Sequence, residues 1–145
     1  MNVLIVVNAY IKNKSQILQA ERIAYELQNL DVECCITKNF NLASINNGRV
    51  KYRDFDKCVF LDKDKAAARL LEKNGKRLIN SAYAIETCDD KMLTYIALAD
   101  NEIAMPDTYY APLCYYSNAE VSNDYLNTVS HNLGFPLVAK LCYGS

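Results

Sequence analysis

The stretch Asn2-Val3-Leu4-Ile5-Val6-Val7, then the polar residues Asn8 to Lys14, then Ser15 to Leu30 and Val32 to Thr37, decides the fold. The first run is continuously apolar and rich in β-branched residues, the pattern of a strand covered on both faces. Asn8 to Lys14 reads as a loop. In Ser15 to Leu30, Ile17, Ala20, Ile23, Ala24, Leu27 and Leu30 recur at helical spacing, which predicts an amphipathic helix. Val32 to Thr37 returns to strand character. A strand, a helix and a strand in succession call for a parallel sheet with a right-handed crossover, hence an α/β fold.

The pattern continues outward. Asn46, Asn47 and Gly48 mark a turn; Lys57 to Leu61 reads as a strand, Asp64 to Lys73 as a helix closed by Asn74 and Gly75, and Arg77 to Ile79 as a short strand. Beyond Asn80 the character changes. Ser81 to Thr87 and Asp89 to Asn101 read as helices, the second carrying Met92, Tyr95, Ile96 and Ala99 on one stripe. Thr108 to Tyr116 reads as a strand that Pro112 confines to an edge or breaks. Val121, Tyr125, Val129 and Leu133 make a helix that Gly134 and Pro136 end, and Leu137 to Cys142 reads as a last strand before Gly144 and Ser145. The boundary is placed at Asn80, giving domains 1–80 and 81–145, with no internal repeat.

Composition narrows the function. The 145 residues carry 16 basic and 17 acidic side chains, interspersed, for a net charge of -1. No electrostatic footprint favours nucleic acid or an anionic membrane. The apolar run Val3 to Val7 is too short to insert in a bilayer, so no membrane span or signal peptide is expected and a cytoplasmic location is. Of the 6 cysteines, most lie in apolar strand-like runs, where a free thiol packs as a small hydrophobe, and no pair has zinc or redox spacing. With 1 histidine, metal ligands are scarce.

Some motifs fall away on inspection. Asp62 follows the Lys57 to Leu61 strand as a receiver phosphoacceptor would, but the first strand is followed by Asn8-Ala9-Tyr10 rather than an acidic pair, and an N-cap role for Asp62 is expected instead. The first strand also lacks the glycines of a dinucleotide-binding turn. His131 falls on the polar side of its helix, in solvent. Tyr109, Tyr110, Tyr115 and Tyr116 lack the basic surround of a base-stacking surface and are expected to pack on a strand. Asn8 and Tyr10, at the carboxyl end of the first strand, are candidates to face a substrate, and the same stretch reads equally as a plain connecting loop.

The second part carries Asn80-Ser81-Ala82, Cys88-Asp89-Asp90-Lys91, Ala104-Met105-Pro106-Asp107-Thr108, Leu133-Gly134-Phe135-Pro136-Leu137-Val138-Ala139-Lys140, and Gly144-Ser145. In this order and spacing they resemble RimK-type ATP-grasp carboxylate-amine ligases, a group similar to α-L-glutamate ligases. The resemblance implies a Rossmann-like pre-ATP-grasp domain with a parallel sheet at 1–80, and at 81–145 the incomplete start of the first ATP-grasp lobe. It implies a reaction in which ATP phosphorylates a carboxylate and an amine then attacks the acyl phosphate, a chemistry driven by positioning and by positive charge set against phosphate oxygens.

By that resemblance Lys91 and Lys140 match the lysines that contact the nucleotide phosphates, and Gly144 and Ser145 match the opening of the flexible glycine-rich loop. ATP and Mg²⁺ are the implied cofactors of the full-length protein. The family's metal-holding acidic residues and asparagine belong to the second lobe, beyond Ser145, so the fragment alone is expected to be inactive. The implied partners are ATP, a carboxylate such as glutamate, and an amine on a peptide or protein acceptor. Alternatives stay open at each residue: Lys140 also reads as a solvated edge lysine, and Lys91 as a surface residue beside a capping aspartate. For the whole chain they are a non-catalytic α/β module binding a small molecule or a partner, and another ATP-grasp enzyme such as a D-alanine ligase or a carboxylase.

Overall fold

The computed structural model describes residues 1–42, 45–46, 49–50 and 54–144. Asn47 and Gly48 of the expected turn, and Ser145, lie outside them. The elements run β1 (Asn2–Val7), α1 (Lys14–Gln28), β2 (Glu33–Lys38), a 3-10 turn (Asn39–Leu42), β3 (Ile45–Asn46), β4 (Arg49–Val50), β5 (Lys57–Leu61), α2 (Lys65–Lys73), β6 (Arg77–Ile79), α3 (Ala82–Asp89), α4 (Lys91–Leu98) and α5 (Asn123–Leu133). By contacts the chain divides into two compact units, Met1–Asp89 and Asp90–Ser145.

In the first unit β1, β2, β5 and β6 form a parallel sheet in the order β2-β1-β5-β6, as the β-α-β reading requires. Alternation along a strand sends successive side chains to opposite faces. Leu4 and Val6 of β1 join Cys58 and Phe60 of β5 on one face, against Ala68 and Leu71 of α2 and Ala82 and Ile85 of α3. Ile5 and Val7 take the other face with Val59 and Leu61, under Ala20, Ile23, Ala24 and Leu27 of α1. Because both faces are covered, Val3 to Val7 are all buried, and this is why β1 reads as an unbroken apolar run. Each fully buried Leu or Ile there contributes roughly 1.5–3 kcal/mol relative to exposure.

Helix ends follow local chemistry. Asn13 caps α1 by accepting from Ser15 N, and Asp64 caps α2 by accepting from Ala67 N. The N-cap expected at Asp62 is therefore corrected: Asp62 sits before the start of α2 and its carboxylate is used elsewhere. Gly75 ends α2 at φ 75°, the left-handed conformation that glycine adopts without a Cβ penalty.

The second unit contains α4 and α5, joined and followed by extended chain. Asp90 caps α4, accepting from Met92 N at 2.8 Å and Leu93 N at 3.1 Å. Ser122 caps α5 and Gly134, at φ 71°, ends it. The strands expected at Thr108 to Tyr116 and Leu137 to Cys142 do not form. A strand is a pairing, and among the described residues these segments find no partner ladder; only Tyr143 makes a single antiparallel bridge, to Asp90. Tyr110, Tyr115 and Tyr116 consequently stand exposed rather than packed on a sheet, while Tyr109 meets the Tyr125 ring of α5 edge-on at 6.0 Å.

Candidate functional site

In the first unit, chain order reverses at β1: β2 lies on one side and β5 on the other. The chain leaves β1 and β5 for helices on opposite faces, so a crevice opens at their carboxyl ends, where open parallel sheets take ligands. Asn8 stands there. Its Nδ2 donates to Asp62 Oδ1 at 3.0 Å and its Oδ1 accepts from Tyr10 N at 2.8 Å. Asn39, at the end of β2, accepts from Ala9 N at 2.9 Å and donates to Asp64 Oδ2 at 3.2 Å. The loop after β1 is thus tied to both neighbouring strands and to the cap of α2. Asp62 Oδ1 also accepts from Lys63 N at 2.7 Å, whereas its buried Oδ2 has no hydrogen-bond partner among the described residues. Tyr10 is exposed.

Charge borders this edge. Asp89, at the end of α3, receives Lys63 Nζ at 2.8 Å and Lys65 Nζ at 3.3 Å. The Lys63 hydrogen bond, with Lys65 adding to it and burial opposing, holds the Asp89 carboxyl below the ordinary carboxylate range.

In the second unit, α4 starts against the end of the chain. Lys91 N donates to Cys142 O at 2.9 Å, and Lys91 Nζ donates to Gly144 O. Asp90, buried although it is a carboxylate, takes the Tyr143 hydroxyl as well as its helix amides, and this holds the Tyr143 phenol above its ordinary range. Gly144 has φ 89°, a conformation that favours glycine. Lys91 and Gly144, separated by 53 residues in sequence, are therefore brought together. Lys140 is not joined to them: it is exposed and makes no hydrogen bond or ion pair among the described residues. His131 is exposed on α5, as its place on the polar side required.

Asn39, Asp64 and Tyr143 were not singled out as site residues from sequence. For Asn39 and Asp64 a signal existed: each directly follows a strand or opens a helix at the same end of a parallel sheet. Among the described residues no group of three or more His, Cys, Asp or Glu side chains is placed to hold a metal ion. Among the described residues no helix is long and apolar enough to cross a membrane.

No family model matches the chain. It is 28% identical over 137 residues to "Uncharacterized protein MG012" of Mycoplasma genitalium, covering 90% of this chain and 47% of that protein. It is 29% identical over 143 residues to the MG012 homolog of Mycoplasma pneumoniae, covering 94% of this chain and 49% of that one. The chain thus spans about half the length of these relatives. Among solved structures, a RimK domain ATP-grasp protein from Sphaerobacter thermophilus DSM 20745 superposes with a TM-score of 0.68 at 15% identity, over 100% of this chain and 50% of that one. At that identity the likeness is one of fold: this chain, over its whole length, has the α/β fold of half of a RimK-domain ATP-grasp protein.

Proposed function

We propose that the full-length protein is an ATP-dependent carboxylate-amine ligase of the RimK-like kind, with residues 1–80 as its pre-ATP-grasp domain and residues 81–145 as the start of its ATP-grasp domain. The observation that carries this reading is the superposition of the entire chain on a RimK-domain ATP-grasp protein. The corner at α4 supports it: a lysine amine at Lys91 stands beside the backbone of Gly144, so a cation and a glycine able to approach a phosphate closely share one place.

In this reading ATP supplies the phosphoryl group that activates the carboxylate. A carboxylate oxygen, glutamate's being the first choice, bonds to the γ-phosphorus and ADP leaves; the amine nitrogen of the acceptor then bonds to the acyl carbon and loses a proton, and the acyl C–O bond breaks so that inorganic phosphate leaves carrying that same oxygen while the other remains as the amide carbonyl. Lys91 and Lys140 place positive charge against the phosphates, and Gly144 with Ser145 opens the loop over them. Asn8 and Tyr10 face a substrate at the sheet edge. In this reading the residues that hold magnesium belong to the second lobe, and this chain's share of the chemistry is to bind and orient phosphate.

The test is to assay the full-length protein with ATP, magnesium and glutamate, following ADP release and trapping acyl phosphate with hydroxylamine. Glutamate-dependent ADP release and a hydroxamate are expected, and Lys91→Ala and Lys140→Ala each raise KM for ATP about tenfold or more. ADP release with a different carboxylate keeps the ligase and changes its substrate. No ATP binding at all overturns the reading and leaves a non-catalytic binding module.

A further inference from the structure

We infer that the crevice between the ends of β1 and β5 is an alkylammonium site, in which Asp62 Oδ2 and Asn8 Oδ1 accept from the N–H donors of a primary amine. The assignment rests on the reading that Asn8 and Tyr10 face a substrate, and names the group which that substrate carries; ATP has no part in it.

One oxygen in the crevice lacks a donor. Asp62 is a partly buried residue just past β5, and its Oδ2 is shut off from water without a hydrogen-bond partner among the described residues. A buried carboxylate oxygen left unpaired is costly, because it loses its hydration and gains nothing in return. The other oxygen is fully used: Oδ1 accepts from Asn8 Nδ2 at 3.0 Å and from Lys63 N at 2.7 Å. The tie between the two strand ends thus needs Oδ1 alone and leaves Oδ2 over.

Nearby groups are committed elsewhere. Lys63 Nζ lies 2.8 Å and Lys65 Nζ 3.3 Å from the Asp89 carboxylate, so the two lysines that follow Asp62 most closely are drawn to a different acid. Asp64 has both oxygens occupied, Oδ1 by Ala67 N at 3.0 Å and Oδ2 by Asn39 Nδ2 at 3.2 Å. Asp62 is therefore the carboxylate of this crevice with an acceptor still to offer. A second acceptor belongs to its own partner: Asn8 Oδ1 takes one amide, Tyr10 N at 2.8 Å, and an amide oxygen has two lone pairs.

These acceptors select the ligand. It must donate, and a carboxylate accepts most strongly from a cation. An ammonium group carries three donors on one positive atom and serves both oxygens. A divalent metal asks for more ligands than are gathered here, since among the described residues no three acidic, cysteine or histidine side chains come together. Asp62 and Asn8 are only partly buried and lie outside both core clusters, so an amine reaches them from solvent. Tyr10, 87% exposed on the loop that these bonds pin, offers an aromatic ring to the carbon part of the amine.

The experiment titrates isotope-labelled full-length protein with methylammonium chloride, following the Asp62 carboxyl carbon and the Asn8 side-chain amide by NMR. Tetramethylammonium chloride, a cation of the same charge without an N–H, is titrated in parallel at equal ionic strength. Saturable movement of both signals is expected with methylammonium. Binding should be about tenfold weaker, or lost, for tetramethylammonium and for Asp62→Asn, the size of one charge-assisted hydrogen bond. Asparagine keeps the shape of aspartate, and the tetramethylammonium arm uses wild type, so the result does not hang on one variant's folding. No saturable movement, or equal movement with both cations, overturns the site. ATP is titrated into the same wild-type protein: ATP bound with methylammonium ignored sinks the ammonium site alone, and methylammonium bound without ATP sinks the ligase reading alone. Glutamate that displaces methylammonium supports the site as one for the α-ammonium of the activated substrate; methylammonium held against glutamate supports it as one for the acceptor amine.

Discussion

The sheet unit and the unit that follows it are built on opposite terms. In Met1–Asp89, side chains from strands and helices interlock on two faces of the sheet, and Leu4, Ile5, Val6, Leu42, Cys58 and Leu71 lose almost all contact with solvent. Among the described residues from Asp90 onward the one with least exposure is a carboxylate, while Leu126, Val138 and Leu141 remain largely exposed. Apolar burial therefore fixes the first unit. The second, taken by itself, is fixed by helix caps and by the polar grip at Asp90 and Lys91.

The sharpest contrast is between thiols. Burial pushes the Cys58 thiol up from 9.0 to about 12, because a thiolate would be desolvated in the core, whereas Cys114 is exposed. Thiolate is the reactive form, so Cys58 in the folded chain is expected to react with an alkylating reagent about a thousandfold more slowly than an ordinary thiol, before restricted access is counted. Alkylation kinetics resolved by peptide mass would check this. Cys58 modified as fast as Cys114 without prior unfolding would break the contrast.

Next in size comes the core itself. Leu71 is 1% exposed and Leu126 is 51% exposed. Leu71→Ala leaves a cavity under the sheet and is expected to cost about 3 kcal/mol of unfolding free energy, within the range for buried leucines. Leu126→Ala should cost under about 0.5 kcal/mol. Denaturant titration monitored by circular dichroism distinguishes them, and equal costs would mean that α5 is covered in solution in a way its exposure here denies.

Caps give a smaller effect. Asp64 both caps α2 and receives Asn39 Nδ2, joining the helix to the end of β2. Asp64→Ala should cost about 1 kcal/mol, felt across the whole sheet unit. Ser122→Ala removes a cap of the same kind from α5, yet with no buried face behind that helix its loss should appear as local fraying. Hydrogen exchange separates the outcomes: protection should fall throughout Met1–Asp89 in the first variant and only along α5 in the second.

How far the sequence could be read follows the same division. The strands Lys57–Leu61 and Arg77–Ile79 formed where expected, and α1, β2 and α2 within a residue or two, because their pairing partners and the faces they cover lie within the same short unit. The parallel sheet followed from the order of elements alone. Thr108 to Tyr116 and Leu137 to Cys142 have strand composition without strand structure, since β propensity acts only through a neighbouring ladder. The site was legible residue by residue and hidden in its joins. Asn8 could be placed by its position after β1, but its bond to Asp62 depends on which strand lies beside β1. Lys91 and Gly144 entered through a family pattern, and nothing local in the sequence announces that Asp90 would close on Tyr143.

The smallest expected effect is the acid response of the sheet unit. Hydrogen bonding from Arg69, on α2, lowers the Glu86 carboxyl of α3 from its ordinary 4.5, and Lys63 with Lys65 lowers Asp89 from 3.8. A carboxylate with a folded pKa below its unfolded one contributes stability above the unfolded value and loses it as pH falls through the folded one. The unfolding midpoint of the chain should therefore be level from about pH 7 to about pH 5 on account of these groups, and decline below about pH 4.5. Glu86→Gln should make that decline shallower while changing the neutral-pH midpoint little, because the Arg69 pair is solvent-exposed on the arginine side and water screens it. A decline unchanged by Glu86→Gln would shift the acid response to Asp89 and its lysines, and with it the tie between α3 and the charged border of the sheet's carboxyl edge.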